Sequence, residues 1–166
     1  MQRLLFDRTF EEQNGNDVVL TPEWVAKNIV EHFAPSGRCL DPCKGDGAFF
    51  KHLPAGSDFC ELKDDKDFFN WTEPVDWIVS NPPYSIFNEW IDHSFHVAEN
   101  VVYLLSAIKP WGSFSLLKKI HQYGGMKEIY VLGTGSSVGF PFGFPLVAIH
   151  FQRGYRGGML LSFRDV

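Results

Sequence analysis

Apolar side chains recur along this chain with two periods, and the changes of period divide it into elements. Val25, Ile29 and Phe33 fall every four residues, the spacing of one buried helix face, behind Thr21-Pro22-Glu23. That tripeptide reads as a helix start, with Thr21 as N-cap, Pro22 at the first helical position and an acid in the first turn. Pro35-Ser36-Gly37 closes the helix. Phe87, Ile91 and Phe95 repeat the helical spacing, and residues 113–122 make a further helix with Lys118 and Lys119 toward its polar side. Another helix is expected to begin at Ala48-Phe49-Phe50-Lys51-His52-Leu53. Short apolar runs predict strands at 38–40, 57–60, 75–79, 101–105, 129–132 and 146–151, with a short final strand at 159–163. Residues 1–20 are mostly polar, with a turn at Asn14-Gly15-Asn16 and with Phe6 and Phe10 as candidates to pack back on the domain.

Composition narrows the class. A chain of 166 residues that is 45% hydrophobic and holds 16 phenylalanines buries a full core and reads as one folded domain. No apolar run approaches the roughly 20 residues that span a bilayer, and no signal-peptide pattern opens the sequence, so the expectation is a cytoplasmic protein with no membrane contact. Cys39, Cys43 and Cys60 are odd in number. Their C-x-x-x-C pair fits neither a redox motif nor a zinc knuckle, so they read as thiols of a cytosolic protein and no metal is expected. The net charge of −5 argues against broad adhesion to nucleic acid. It is unevenly spread, with 8 basic and 18 acidic residues over 1–100 but 7 basic and 2 acidic over 101–166. The basic part can accept a phosphate backbone, and ordinary surface scatter gives a similar imbalance.

The sharpest motif is Ser80-Asn81-Pro82-Pro83-Tyr84, at the polar end of the 75–79 strand. Each proline restricts the residue before it and neither donates a backbone hydrogen bond, so the strand stops in a rigid loop. The Asn81 side chain is thereby held at the carboxyl end of a strand, where open α/β sheets place ligands. Its amide oxygen and the Pro82 carbonyl form a pair of acceptors able to grip an exocyclic amine while the nitrogen attacks an electrophile. Tyr84 offers an aromatic face to a flat substrate. Taken alone, Asn-Pro-Pro is also an ordinary strand-terminating turn. Upstream, Asp41-Pro42-Cys43-Lys44-Gly45-Asp46-Gly47 follows the first strand. Its glycines permit close backbone approach, and its carboxylates repel phosphate and favour an ammonium or sulfonium ligand, although any surface turn uses the same residue types. Glu61 ends the second strand, placed either to take two ribose hydroxyls or to sit in solvent. Asp67 can accept an adenine amino group and Phe68 can pack on the ring, with structural duty an equal alternative for both Phe68 and Phe69. The Gly-rich loop 133–145 carries Phe140, Phe142 and Phe144, which either pack on the core or meet a flat partner. Arg153, Arg156 and Arg164 make the tail basic.

Taken in order, these motifs resemble the S-adenosylmethionine-dependent DNA adenine-N6 methyltransferases in their gamma arrangement. Thr21-Pro22 precedes the first helix, Asp41-Pro42 with Gly45 and Gly47 follows the first strand, and Asn81-Pro82-Pro83-Tyr84 matches the motif after the family's fourth strand. Ala48-Phe49 extends the second match, and residues 20–106 carry the likeness best. The resemblance implies an α/β, Rossmann-like class I methyltransferase fold in one domain over 1–166, with a seven-stranded, mostly parallel sheet whose last strand is antiparallel. It implies S-adenosyl-L-methionine as cofactor, held by Thr21, Pro22, Asp41, Cys43, Gly45, Gly47, Glu61, Asp67, Phe68 and Asn81. It implies catalysis by Asn81, Pro82, Pro83 and Tyr84 on an adenine flipped out of DNA, with no metal. Lys44 stands where the family often has a small residue and Asp46 where it has Ser or Thr. No segment matches the family's separate target-recognition domain, so loop 133–145, helix 113–122 or a protein partner would supply recognition. By the same resemblance, Asn-Pro-Pro-Tyr also occurs in methyltransferases of RNA bases and of protein glutamines. A non-catalytic cofactor-binding subunit would keep the fold as well, and the small form is similar to phage or mobile-element proteins.

Overall fold

In the computed structural model, which describes residues 19–165, the alternation of side chains along the sheet decides the layers. The elements in chain order are α1 (Glu23–Phe33), β1 (Cys39–Asp41), β2 (Asp58–Phe59), β3 (Val75–Ser80), α2 (Phe87–Val97), β4 (Ala98–Ser106), α3 (Phe114–Tyr123), β5 (Gly124–Thr134), β6 (Pro145–Arg153) and β7 (Leu160–Phe163). Along β4, Val101, Tyr103 and Leu105 enter one apolar cluster while Val102 and Leu104 enter another, as the two-residue period of a strand buried on both faces requires. α2 and α3 cover the first cluster through Ile91, Phe95, Leu116 and Ile120. α1 covers the second through Val25, Ala26, Ile29 and Val30. The result is a three-layer α/β fold.

The sheet order is β2-β1-β3-β4-β6-β5-β7. β2, β1, β3 and β4 pair in parallel, and β7 runs parallel to β5. The seven-stranded, mostly parallel sheet expected from the sequence is therefore present. Its reversed strand is β6, antiparallel to both β4 and β5, with the four-residue β7 following it to the far edge. Because β1, β3 and β4 run the same way, the segments after them gather at one sheet edge. β6 starts at that edge, so the Ala107 N–H donates to the Pro145 carbonyl at 3.0 Å.

Three expectations are corrected. Residues 48–53 do not start an α-helix: Phe50–His52 make one 3-10 turn, and Leu53 is extended (φ −67°, ψ 157°) because Pro54 follows. Pro22, not Thr21, occupies the N-cap position of α1, and no side chain caps that end. β5 starts at Gly124, well before residue 129, because Gly124 packs where a Cβ would lie 2.0 Å from the Gln152 carbonyl oxygen. Glycine there marks close backbone approach rather than a turn. In loop 133–145 the expected packing on the core is observed. Phe140 is buried in the core, Phe142 stacks on it at 5.2 Å, and Phe144 stacks on Phe142 at 4.0 Å while remaining 38% exposed. The turn at 14–16 and the packing of Phe6 and Phe10 lie outside the described residues. No helix among the described residues is long and apolar enough to cross a membrane.

One buried titratable group belongs to the core alone. His150 on β6 stacks on Trp77 and bonds the Asn100 amide oxygen at 2.9 Å, and burial pushes its pKa down to about 4, with Lys127 adding to the effect. A folded-state pKa below the unfolded value gives stability that is present above about 6.5 and lost as pH falls through about 4. The expected outcome is an unfolding free energy from urea titration that drops between pH 7 and pH 5, by on the order of 2 kcal/mol more in the wild type than in His150→Gln. Equal pH dependence of the two proteins would reject this role for His150.

Candidate active site

β3 is a run of apolar residues that ends at a buried serine, and the two prolines after it fix the path of the loop. The Asn81 NH₂ group donates to Thr21 Oγ1 at 3.1 Å and faces the Val19 carbonyl at 3.4 Å. A backbone carbonyl can only accept, so the amide nitrogen must point that way and Oδ1 the other. Among the described residues neither Asn81 Oδ1 nor the Pro82 carbonyl has a hydrogen-bond partner. The Thr21 hydroxyl is thus taken from helix capping and used as an acceptor 60 residues along the chain.

Below the loop lies a buried polar cluster. Ser80 Oγ donates to Asp41 Oδ1 at 2.6 Å, and the Cys43 N–H reaches the same oxygen at 3.3 Å. Cys43 Sγ stands 3.2 Å from Ser80 Oγ and 3.1 Å from the Asn81 carbonyl oxygen. Burial, with Asp41 nearby, holds the Cys43 thiol well above its ordinary pKa, so it is an S–H donor. Asp41 Oδ2 is buried with no hydrogen-bond partner among the described residues, and burial raises the Asp41 carboxyl to about 7 against the Ser80 hydroxyl and the Cys43 and Phe50 backbone amides that lower it. Asp41 lies under the loop, whereas Asp46 is exposed and accepts from the Ala48 N–H at 3.2 Å.

The loop backbone turns through Gly45 (φ +55°) and Gly47 (φ +87°), a region that residues with a Cβ seldom occupy. Its Gly45 N–H donates to Glu61 Oε2 at 2.8 Å, so the acid after β2 holds the loop. Lys44 points away, over the Phe59 ring at 3.9 Å and toward Asp64 at 3.8 Å. Asp67 accepts from the Phe69 N–H at 2.9 Å and lines a hollow of 360 Å³ with Phe59, Cys60, Lys66 and Trp71. A second hollow, of 280 Å³, lies between α1 and Arg164, away from Asn81. Phe68 is placed differently from the expectation of a ring under adenine. It is 2% exposed, packed against Trp90 and His93, because the 3-10 turn Phe68–Asn70 directs it into the core. Tyr84 is half-buried and its hydroxyl donates to the Leu104 carbonyl at 3.1 Å.

The structure therefore brings Thr21, Asp41, Cys43 and Asn81 together, links Gly45 to Glu61, and leaves Phe68 in the core. Two residues to which the sequence pattern assigned no role belong here. Ser80 joins β1 to β3, and its only signal was a polar residue closing an apolar run. Lys109 donates to the Tyr84 carbonyl at 3.3 Å, which no local pattern announces.

No protein-family model matches the sequence, and no curated protein matches it. Solved structures match in fold. A Listeria monocytogenes protein assigned as a class I S-adenosylmethionine-dependent methyltransferase superposes with a TM-score of 0.59 at 13% identity, covering 89% of this chain and 66% of that one. The chain has the class I methyltransferase fold. A Vibrio vulnificus protein assigned as the modification subunit of a type I restriction enzyme gives a TM-score of 0.62 at 14% identity over 99% of this chain and 51% of its own. A Pyrococcus horikoshii protein assigned as an RNA methyltransferase gives 0.54 at 12% identity over 79% and 80%. The chain spans about two thirds and about half of the length of the first two. Within this methyltransferase fold, the loops after β1 and β3 and the acid after β2 stand at the carboxyl ends of parallel strands, where such sheets take ligands.

Two outcomes test the site's internal wiring. A raised folded-state carboxyl pKa gives stability that is present below about 4 and lost as pH rises through about 7. Asp41→Asn is thus expected to exceed the wild type in urea stability at pH 8, on the order of 3 kcal/mol, with the gap closing toward pH 4. A gap independent of pH would show that the charge is not the cause. Thr21→Val, which removes the acceptor for the Asn81 amide, is expected to cost about 1 kcal/mol in the same measurement, and Thr21→Ser much less. A loss in Thr21→Ser with none in Thr21→Val would mean that the methyl group, not the hydroxyl, matters.

Proposed function

We propose that this protein transfers the methyl group of S-adenosylmethionine to the N6 amino group of adenine in DNA. The observation that carries the reading is the orientation of Asn81, whose amide nitrogen is bound to Thr21 and Val19 while Oδ1 has no partner among the described residues, beside a Pro82 carbonyl in the same state. An exocyclic amine carries two N–H donors and matches two adjacent acceptors. Its lone pair is delocalised into the ring, and hydrogen bonds from both hydrogens to Asn81 Oδ1 and Pro82 O favour a more tetrahedral nitrogen. Neither acceptor is basic, so the proton released on transfer passes to water. Pro82 and Pro83 keep the acceptors fixed, and the half-buried Tyr84 ring, held by its hydroxyl, stacks on a flipped base.

The cofactor fits the residues present. S-adenosylmethionine, when bound, supplies an electrophilic methyl group on a sulfonium. Asp41 offers a buried carboxylate oxygen with no partner, suited to a cationic or donor group, and Cys43 braces the loop above it. Gly45 and Gly47 open the loop backbone, Glu61 takes ribose hydroxyls and Asp67 the adenine amino group, with Thr21-Pro22 beside Asn81 closing the site. Phe68 is left out of this set because its ring lies in the core. The modification-subunit likeness is consistent with DNA as acceptor, and a protein partner would then supply target choice.

Transfer of a labelled methyl group to duplex DNA, single-stranded DNA, RNA and protein, run in parallel, tests the reading. The expected product is N6-methyladenine in DNA, and Asn81→Ala is expected to lower transfer at least about 100-fold with cofactor affinity within about threefold. Label confined to RNA or to glutamine would move the acceptor. Equal loss of transfer and cofactor binding in Asn81→Ala would overturn the role given to Asn81. Cofactor binding without transfer to any acceptor would mark a non-catalytic subunit.

A further inference from the structure

At the sheet edge that carries Asn81, just beyond Tyr84, lies a strip of apolar and cationic side chains that the chemistry above does not use. The segment after β4 makes a 3-10 turn over Lys109–Trp111. Side chains three apart eclipse one another in such a turn, so Ile108 and Trp111 lie on one side of it. Ile108 is 77% exposed, Trp111 52%, and Phe114, the first residue of α3, 72%. One exposed apolar side chain is ordinary, but three large ones within seven residues form a patch.

The patch is held in place. Pro110 is buried, the Trp111 N–H donates to the Ile108 carbonyl at 3.1 Å, and Ser113 caps α3 by accepting from the Leu116 N–H at 3.2 Å. Lys109 ties the turn to the catalytic loop through the Tyr84 carbonyl at 3.3 Å. On the other side the Ala107–Pro145 hydrogen bond brings in the stacked rings that end at Phe144.

Charge decides what the patch fits. From Glu99 to Glu128 the sequence has lysines at 109, 118, 119 and 127 and no carboxylate between. Asp92 of α2 pairs with Lys119 at 3.4 Å, which leaves Lys118, 5.0 Å from the Phe114 ring, without a carboxylate partner among the described residues. Arg153 contacts the start of β4, at the opposite end of the sheet, and Arg164 lies over the Trp24 ring, so the cations placed beside these rings are Lys109 and Lys118. Duplex DNA would meet the lysines with phosphates but offer no faces to the rings. Flat rings interleaved with lysines match an unpaired strand, bases on the rings and phosphates on the ammonium groups.

We propose that Ile108, Trp111, Phe114 and Lys118, flanked by Phe144, form the docking surface for a single-stranded nucleic acid, holding the nucleotides next to the base presented to Asn81. This rests on the reading of the site as one that methylates a nucleic-acid base. Stacking on rings is tolerant of sequence, so the surface gives strand-state preference rather than a target sequence.

Fluorescence anisotropy of the full chain with a labelled 12-nucleotide mixed-sequence DNA strand and with the same sequence as duplex tests this. Trp111→Ala/Phe114→Ala is expected to weaken single-strand binding at least about tenfold and duplex binding much less. Lys118→Ala is expected to lower the slope of log affinity against log salt by about 0.7. Unchanged thermal unfolding and S-adenosylmethionine affinity of each variant establish that the fold is kept. Single-strand affinity unchanged in the double variant overturns the proposal, as does an equal loss for strand and duplex. Failure of the wild type to bind any strand also overturns it, whereas the methyl-transfer reading falls only if labelled methyl reaches no nucleic acid. Loss of a protein partner in the double variant, with strand binding intact, would reassign the patch to that partner.

Discussion

The 2.6 Å hydrogen bond from Ser80 to Asp41 joins the ends of two neighbouring strands at the point where both turn into loops. Everything at the candidate site hangs from it. Asp41 also takes the Cys43 N–H, Cys43 in turn reaches the Asn81 carbonyl, and Asn81 reaches back to Thr21 at the start of α1. The site is therefore a closed circuit of short polar contacts laid over a dry sheet. Its weak point is equally clear: a carboxyl group in the middle of the circuit has one oxygen satisfied and one buried without a partner. Natural proteins keep such a group at a cost in stability, and a ligand that supplies the missing partner would bind a loop already in position.

The circuit explains what could and could not be read from the sequence. α1, α2, β3 and β4 follow from spacing alone, because a helix or strand with a buried face repeats its apolar residues at its own period. Asn81-Pro82-Pro83-Tyr84 was legible for a different reason, since proline geometry is local. The α-helix expected at 48–53 fails against Pro54, a breaker that stands immediately after the apolar run. The start of β5 was hidden by Gly124 and Gly125, whose lack of side chains serves close packing on residues 152–155. Thr21 had every local mark of a helix cap, yet its hydroxyl goes to a side chain 60 residues away, and no local rule contains that bond. Phe68 shows the same limit from the other side, as its burial depends on Trp90 and His93 of α2.

The two sides of the sheet are unequally built. β4, β6 and β5 are nine to eleven residues long, whereas β1 and β2 at the other edge have three and two, with single 3-10 turns between β1 and β3 where α-helices would be the heavier solution. The long strands supply a rigid floor. The lighter edge carries Glu61 and Asp67 on short segments, where local opening costs less than in the long strands.

Reversal of β6 has a consequence for how such a protein can change. A strand that enters the sheet from the end that carries Asn81 forces its preceding loop, 135–144, to lie beside the turn that leaves β4, although the two are far apart in the chain. The loop joins β5 to β6 and the turn joins β4 to α3, so both are anchored at each end, and lengthening a surface loop adds closure cost only slowly. Either can accept new residues without disturbing the strands beneath. The surface at that end of the sheet and the polar circuit beneath Asn81 are in this way separable parts of one small sheet, so that one can be rewritten while the other is left alone.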